Sequence, residues 1–177
     1  MIVDGALLGS VLAPYKLDCR YLKQAIVEVG GPDGTVATIR GELGIPHSCY
    51  IDDTGHFNSV EFNICYNQLV YVLMAQLVVS DVTPYFAAMS LGEYLERQLP
   101  DVLIHDFSSK FKRPLDMRRF GGRVTIRTTA KRSRFLFLRT ECEFADDAGG
   151  AARGDVTLAI VDRPAATVES PARAREA

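Results

Sequence analysis

Y-I-D-D-T-G-H-F-N-S-V-E-F-N-I-C-Y-N-Q-L-V-Y-V-L-M-A-Q-L-V-V-S, Tyr50 to Ser80, is the stretch that decides the fold. A turn at Asp52-Asp53-Thr54-Gly55 delivers His56 and Phe57. Asn58 or Ser59 suits a helix N-cap, because either side chain accepts from a backbone N–H of the first turn. Glu61 stands three residues after Asn58, which is capping-box spacing. From Val60 onward about 20 residues contain neither Pro nor Gly, which predicts one helix of roughly 30 Å. Val60, Ile64, Tyr71, Leu73, Met74, Leu77 and Val78 leave it no wide polar stripe. A helix apolar nearly all round belongs inside something. Glu61, Asn63, Asn67, Gln68 and Gln76 interrupt it too often for a membrane span. Each amide buried with it needs a partner, since an unpaired one costs about 1–3 kcal/mol.

Asn63 and Asn67 are four apart and share a helix face. His56 stands near the helix start, where backbone N–H groups point outward. One histidine and two amides beside a buried helix N-terminus form the most site-like constellation in the chain.

The rest of the sequence builds outward from that helix. Residues 5–13 predict a short helix ending at Pro14. Leu22–Val29 and Thr35–Leu43 predict two strands joined by the turn Gly30-Gly31-Pro32-Asp33-Gly34. Asp81-Val82-Thr83-Pro84 ends the long helix, and a short helix follows over Leu91–Gln98. Val102–Phe111, Arg119–Arg132, Phe135–Asp146 and Ala151–Val161 read as strands. Gly121-Gly122 within the second of these marks a bulge or a close backbone approach. An α+β architecture accounts for the missing polar face: an antiparallel sheet wrapped round one long central helix, the hot-dog fold. Residues 1–161 are expected to form one such domain, and 162–177, rich in Pro, Ala and Arg, a flexible tail.

Composition bounds the function. At 177 residues and 47% apolar the chain can bury a sizeable core, and a net charge of −2 gives no reason to expect nucleic acid. Cys19, Cys49, Cys65 and Cys142 form no CxxC pair, which argues against a metal site. No basic segment followed by an apolar core opens the chain, so a cytoplasmic location with reduced thiols is expected. Cys65 reads as a buried structural thiol.

Gly55–Leu69, G-H-F-N-S-V-E-F-N-I-C-Y-N-Q-L, closely resembles the FcoT family, described as type III fatty acyl-CoA thioesterases. The resemblance extends to A-P-Y at Ala13–Tyr15, C-R-Y-L at Cys19–Leu22, S-S-K-F-K-R-P-L at Ser108–Leu115 and G-G-A-A-R-G at Gly149–Gly154. It implies a hot-dog homo-oligomer acting on acyl thioesters carried by CoA or an acyl carrier protein. Members associated with isonitrile lipopeptide pathways add glycine to an enoyl thioester and release a 3-(carboxymethylamino) fatty acid. The family's two tyrosines and two asparagines fall on Tyr15, Tyr50, Asn58 and Asn67. A more distant resemblance links the G-H-F segment to hot-dog 3-hydroxyacyl-carrier-protein dehydratases. Their helix carboxylate falls near Asn67, which cannot titrate, so simple dehydration is not expected.

These readings give concrete expectations. His56 is the acid/base, because an ordinary imidazole titrates near neutrality. Asn58 and Asn67 orient substrate or water, and Tyr15 and Tyr50 donate hydrogen bonds or shape the pocket. Gly55, Phe57, Asn63, Ser108, Lys110 and Arg113 are candidate substrate contacts, with Lys110 or Arg113 holding the glycine carboxylate. No step requires a metal or organic cofactor. Plain acyl-CoA hydrolysis and a non-catalytic acyl-binding module are the competing readings.

Overall fold

The computed structural model describes residues 1–31, 33–52, 55–82 and 89–161. The 162–177 tail and parts of three expected turns, at Pro32, Asp53-Thr54 and Thr83-Pro84, lie outside them. Chain order is α1 (Gly5–Leu12), a 3-10 turn (Leu17–Cys19), β1 (Leu22–Val29), β2 (Ala37–Leu43), α2 (Ser59–Ser80), α3 (Leu91–Arg97), β3 (Val102–Arg113), β4 (Phe120–Arg132), β5 (Phe135–Ala145) and β6 (Ala151–Val161). The strands form one sheet in the order β1-β2-β4-β5-β6-β3, and every pairing is antiparallel. This is the hot-dog arrangement expected from the sequence.

Strand alternation gives the sheet one dry face. Along β5, Leu136, Leu138, Thr140, Cys142 and Phe144 are buried and the residues between them are more exposed. On the opposite face Arg40–Glu28, Arg123–Glu143 and Arg127–Glu141 pair across neighbouring strands. All of these side chains are largely solvated, so they mark that face as the outside and contribute little stability.

Helix α2 lies on the dry face and touches strands across the whole sheet. Leu69 sits over Gly41 of β2 and Gly122 of β4, which are partners across the ladder. A Cβ on Gly122 would come within 2.8 Å of Leu43, Leu69 and Phe144 side chains. Gly122 therefore serves close approach of the helix, one of the two readings the Gly121-Gly122 sequence allowed, whereas Gly121 meets only the Ala145 carbonyl at ordinary contact distance. The register shift in β4 lies further on, between Ile126 and Thr128. Phe62 lies over Gly154 of β6 and meets Phe107 of β3 at 5.6 Å between ring centroids. The Tyr66 hydroxyl and Thr140 Oγ1 of β5 are 2.8 Å apart, and Thr140 donates to the Val156 carbonyl.

The buried amides are put to use. Gln68 Oε1 accepts from the backbone N–H groups of Tyr21 and Leu22, and its Nε2 donates to the Cys19 carbonyl at 2.7 Å. One side chain thereby satisfies three backbone groups where the chain enters β1. Helix α3 docks through the Tyr94 hydroxyl, which donates to the Tyr71 carbonyl, and through Gln98, which donates to the Val11 carbonyl. By length and composition α2 could cross a membrane, yet most of it is buried within this chain. In its N-terminal half the less covered residues are Ser59, Val60, Asn63, Ile64 and Asn67, and at its C-terminal end Val79 and Ser80.

Gln68→Ala leaves those three backbone groups without their partner and should cost about 2–4 kcal/mol of unfolding free energy by denaturant titration. Tyr66, Tyr71 and Tyr94 have phenols pushed upward, chiefly by burial. An acid whose folded pKa is raised contributes stability that is present below its unfolded pKa and lost as pH rises above it. Stability should therefore hold through neutral pH as far as these groups are concerned. It should fall above about pH 10, where unfolded tyrosines ionise, which thermal melts across alkaline buffers will show.

Candidate active site

Phe57 anchors the entry to α2. It is buried, with ring centroids 5.2 Å from both Phe120 and Phe144, and Phe62 and Phe111 close the cluster. This aromatic knot holds the first turn of α2 against the sheet. It makes Phe57 a core residue rather than a surface that substrate can reach, contrary to the expectation of a substrate contact. Gly55, at φ +69°, supplies the left-handed turn two residues earlier.

Asn58 caps the helix. Its Oδ1 accepts from the Val60 N–H at 2.8 Å and its Nδ2 donates to the Tyr50 hydroxyl at 2.7 Å. The two bonds fix which end of the amide is which. Accepting from Asn58 leaves the Tyr50 O–H to donate outward, and Tyr50 is half exposed. His56 is exposed on the same approach to the helix. Glu61 does not return to cap the helix as its spacing suggested. Its carboxylate is turned to Ser48 and accepts from Oγ at 3.0 Å. The reciprocal capping box belongs instead to α3, between Ser90 and Glu93.

Asn67 lies nine residues beyond Asn58, about 13 Å along the helix axis. It is half-buried, as is Tyr15. Burial chiefly, then the neighbouring Tyr71 and Cys65, push the Tyr15 phenol well above the usual tyrosine range, so it stays protonated. Of the expected residues, Tyr50 and Asn58 form one hydrogen-bonded pair at the helix N-terminus, and Tyr15 lies near Cys65 and Tyr71 of the same helix. The stripe Val60–Asn63–Ile64–Asn67 runs between them. Asn63 Oδ1 is buried there with no hydrogen-bond partner among the described residues.

The remaining expectations separate. Phe107 and Phe111 meet Phe62 of α2, so Ser108 and Lys110, which alternate with them, face the other side of the sheet. Both are exposed and are not brought to the helix N-terminus. Arg113 follows a register shift in β3 and lies beside Gly149. Cys65 is fully buried, and burial above all, with Glu61 and Cys49 nearby, pushes its thiol upward, which suits a structural role.

A cleft of about 520 Å³ opens beside the site, lined by the loops around His47, Ser48, Gly55, Leu115 and Arg118. Neither it nor the other three clefts described for this chain is lined by His56, Asn58 or Asn67. Sequence reasoning passed over Ser48 and Gln68. Gln68 carried a usable signal as a buried amide next to Asn67. Ser48 carried none, because its partner is thirteen residues away across a loop.

Comparison with known proteins follows the same lines. The model of the FcoT-like thioesterase domain matches residues 10–160. A protein of Streptomyces coeruleorubidus named (2E)-enoyl-[ACP] glycyltransferase is 44% identical over 168 residues, covering 92% of this chain and all of that one. A protein of the same name from Mycobacterium marinum is 37% identical and covers 89% of this chain and 86% of its own. Among solved structures, a thioesterase-type protein of Syntrophus aciditrophicus matches with a TM-score of 0.53 at 11% identity, over 88% of this chain and 95% of that one. A thioesterase mutant of Pseudomonas aeruginosa matches at 0.51 and 9% identity, over 90% and 95%. At such identities the two structures support the fold alone.

Asn58→Ala removes both the cap and the Tyr50 contact and should lower stability by about 1 kcal/mol. Tyr50→Phe removes only the exposed end of the pair and should leave the melting temperature within about a degree of the parent in the same thermal scan.

Proposed function

As the chain belongs to the FcoT-like thioesterase family, we propose that it adds glycine to the β-carbon of a (2E)-enoyl thioester on an acyl carrier protein. The thioester is then hydrolysed to release a 3-(carboxymethylamino) fatty acid. The observation that carries this reading is the extent of identity to the glycyltransferases named above, which spans the Gly55–Leu69 segment and its Tyr50–Asn58 pair.

The acyl chain lies along the stripe Val60–Asn63–Ile64–Asn67, and the thioester carbonyl lies by the first turn of α2. His56 takes a proton from the glycine ammonium. The amine lone pair attacks the β-carbon, the N–C bond forms, and the C=C electrons move toward the carbonyl oxygen as an enolate. The outward Tyr50 O–H and the positive end of α2 stabilise that oxygen. The imidazolium returns its proton to the α-carbon, and the new N–C ammonium loses one to solvent. Water at the first turn of α2 then adds to the carbonyl, and the C–S bond breaks with the thiol leaving protonated, while Asn67, farther along the helix, orients the acyl chain. Every step uses this chain's side chains, water and the two substrates.

The protein works in the cytoplasm as a homo-oligomer. Strand β3 supports the second part of that statement: it is an edge strand of twelve residues that exposes Leu103, Ile104 and Phe111. A second copy paired along that edge would cover them. The family model's thioesterase description favours one alternative, hydrolysis of an acyl thioester without prior addition.

A short enoyl thioester on carrier protein, incubated with and without glycine and followed by mass spectrometry, separates the readings. A product heavier by the mass of glycine than the enoic acid is expected. Enoic acid released equally with and without glycine would leave only the hydrolase, and acyl binding without turnover would leave neither. His56→Ala and Asn67→Ala should each lower turnover by about a hundredfold, and near-parent rates from both would remove the site.

A further inference from the structure

Glu61 is the only charged side chain in α2, and it is fully buried. Oε1 accepts one hydrogen bond, from Ser48, while Oε2 is buried with no partner among the described residues. A carboxyl group held so sparsely in a core is costly to desolvate. Its place in the first helical turn offsets only part of that cost. An apolar or amide side chain of the same size would fold at less cost, so the fold alone gives no reason for a glutamate here. Local rules are broken in this way chiefly where a site is being held.

The geometry around Glu61 shows what it holds. Residues 44–52 contain no regular element, yet they carry Tyr50. Two bonds tie this loop to the first turn of α2: Ser48 Oγ to Glu61, and Asn58 Nδ2 to the Tyr50 hydroxyl. The anchor points are two residues apart on the loop and three apart on the helix, so both rungs rise from one helix face. A third tie, from the Tyr21 hydroxyl to the His47 carbonyl, holds the backbone just before Ser48. Removing the Ser48 rung leaves the loop beyond His47 tied to the helix start through the half-exposed Tyr50 side chain.

We propose that Glu61, acting through Ser48, is a positioning residue that fixes the 47–50 loop so that the Tyr50 hydroxyl is held at the N-terminus of α2. This rests on the reading above for what Tyr50 does there. Glu61 does not touch substrate. It removes the freedom of the segment that presents the donor, and a donor that wanders by about 1 Å loses its advantage in the transition state.

The test measures kcat and KM for glycine addition by Ser48→Ala, Glu61→Ala, Glu61→Gln and Tyr50→Phe, and by Ser48→Ala combined with Tyr50→Phe. Ser48→Ala and Glu61→Ala should each lower kcat by about tenfold with KM within about threefold. Glu61→Gln, whose amide oxygen can still accept from Ser48, should recover most of what Glu61→Ala loses. In the Tyr50→Phe background the Ser48→Ala loss should disappear, because the group being positioned is gone. A merely structural role would give losses that multiply in the double variant. Multiplying losses, full activity in Ser48→Ala, or no recovery by Glu61→Gln would each overturn the proposal. If Glu61→Ala fails to fold, Ser48→Ala alone and in combination still decides. Parent activity in Tyr50→Phe would count against the site reading itself, whereas a crippled Tyr50→Phe beside a fully active Ser48→Ala would count against the latch alone.

Discussion

Everything in this molecule depends on bringing one helix unusually close to one sheet. Leu69 can reach the ladder only because Gly41 and Gly122, paired across β2 and β4, present no side chains beneath it. The same device recurs where Phe62 meets Gly154. Close approach leaves no layer of side chains between helix and strands, so the backbone groups near the helix must be satisfied from the helix itself. Gln68 does that directly for three backbone groups, and Tyr66 bonds Thr140, whose hydroxyl donates to the Val156 carbonyl. The polar residues of α2 are thus divided. Those facing the sheet or β1 are consumed by the fold, and those on the opposite stripe, Asn63 and Asn67, are less covered.

That division sets where the candidate site stands. A helix buried along its length has its positive end fixed in space, and the aromatic knot around Phe57 sets its entry angle. Asn58 then spends one end of its amide on the cap and the other on Tyr50. The cap and the candidate donor are therefore one hydrogen-bonded unit. Stability and function are coupled at this residue, whereas at Tyr50 they are separable.

Much of the fold was legible because its signals are local and periodic. The absence of a polar face along Val60–Val78 predicted burial, and the helix is buried along most of that length. The site was legible only in part. Asn58 as cap follows from local chemistry, but Glu61 satisfied the same local rule and went elsewhere, because a loop residue thirteen positions away offered a buried partner. The reciprocal capping box, at Ser90 and Glu93, stands at the start of the short helix expected over Leu91–Gln98, where no cap was read. Ser108 and Lys110 went to the outer face because strand parity is set by which neighbours, here Phe107 and Phe111, the core accepts. A motif gives no parity by itself.

The most direct measurement of the central claim is a crystal structure of the protein with a non-hydrolysable enoyl thioester analogue. Electron density is expected for the acyl chain along Val60, Asn63, Ile64 and Asn67, with the carbonyl oxygen within hydrogen-bond distance of the Tyr50 hydroxyl. Density for the ligand on the outer face of the sheet, in the cleft lined by His105, Phe137 and Arg139, would contradict the account.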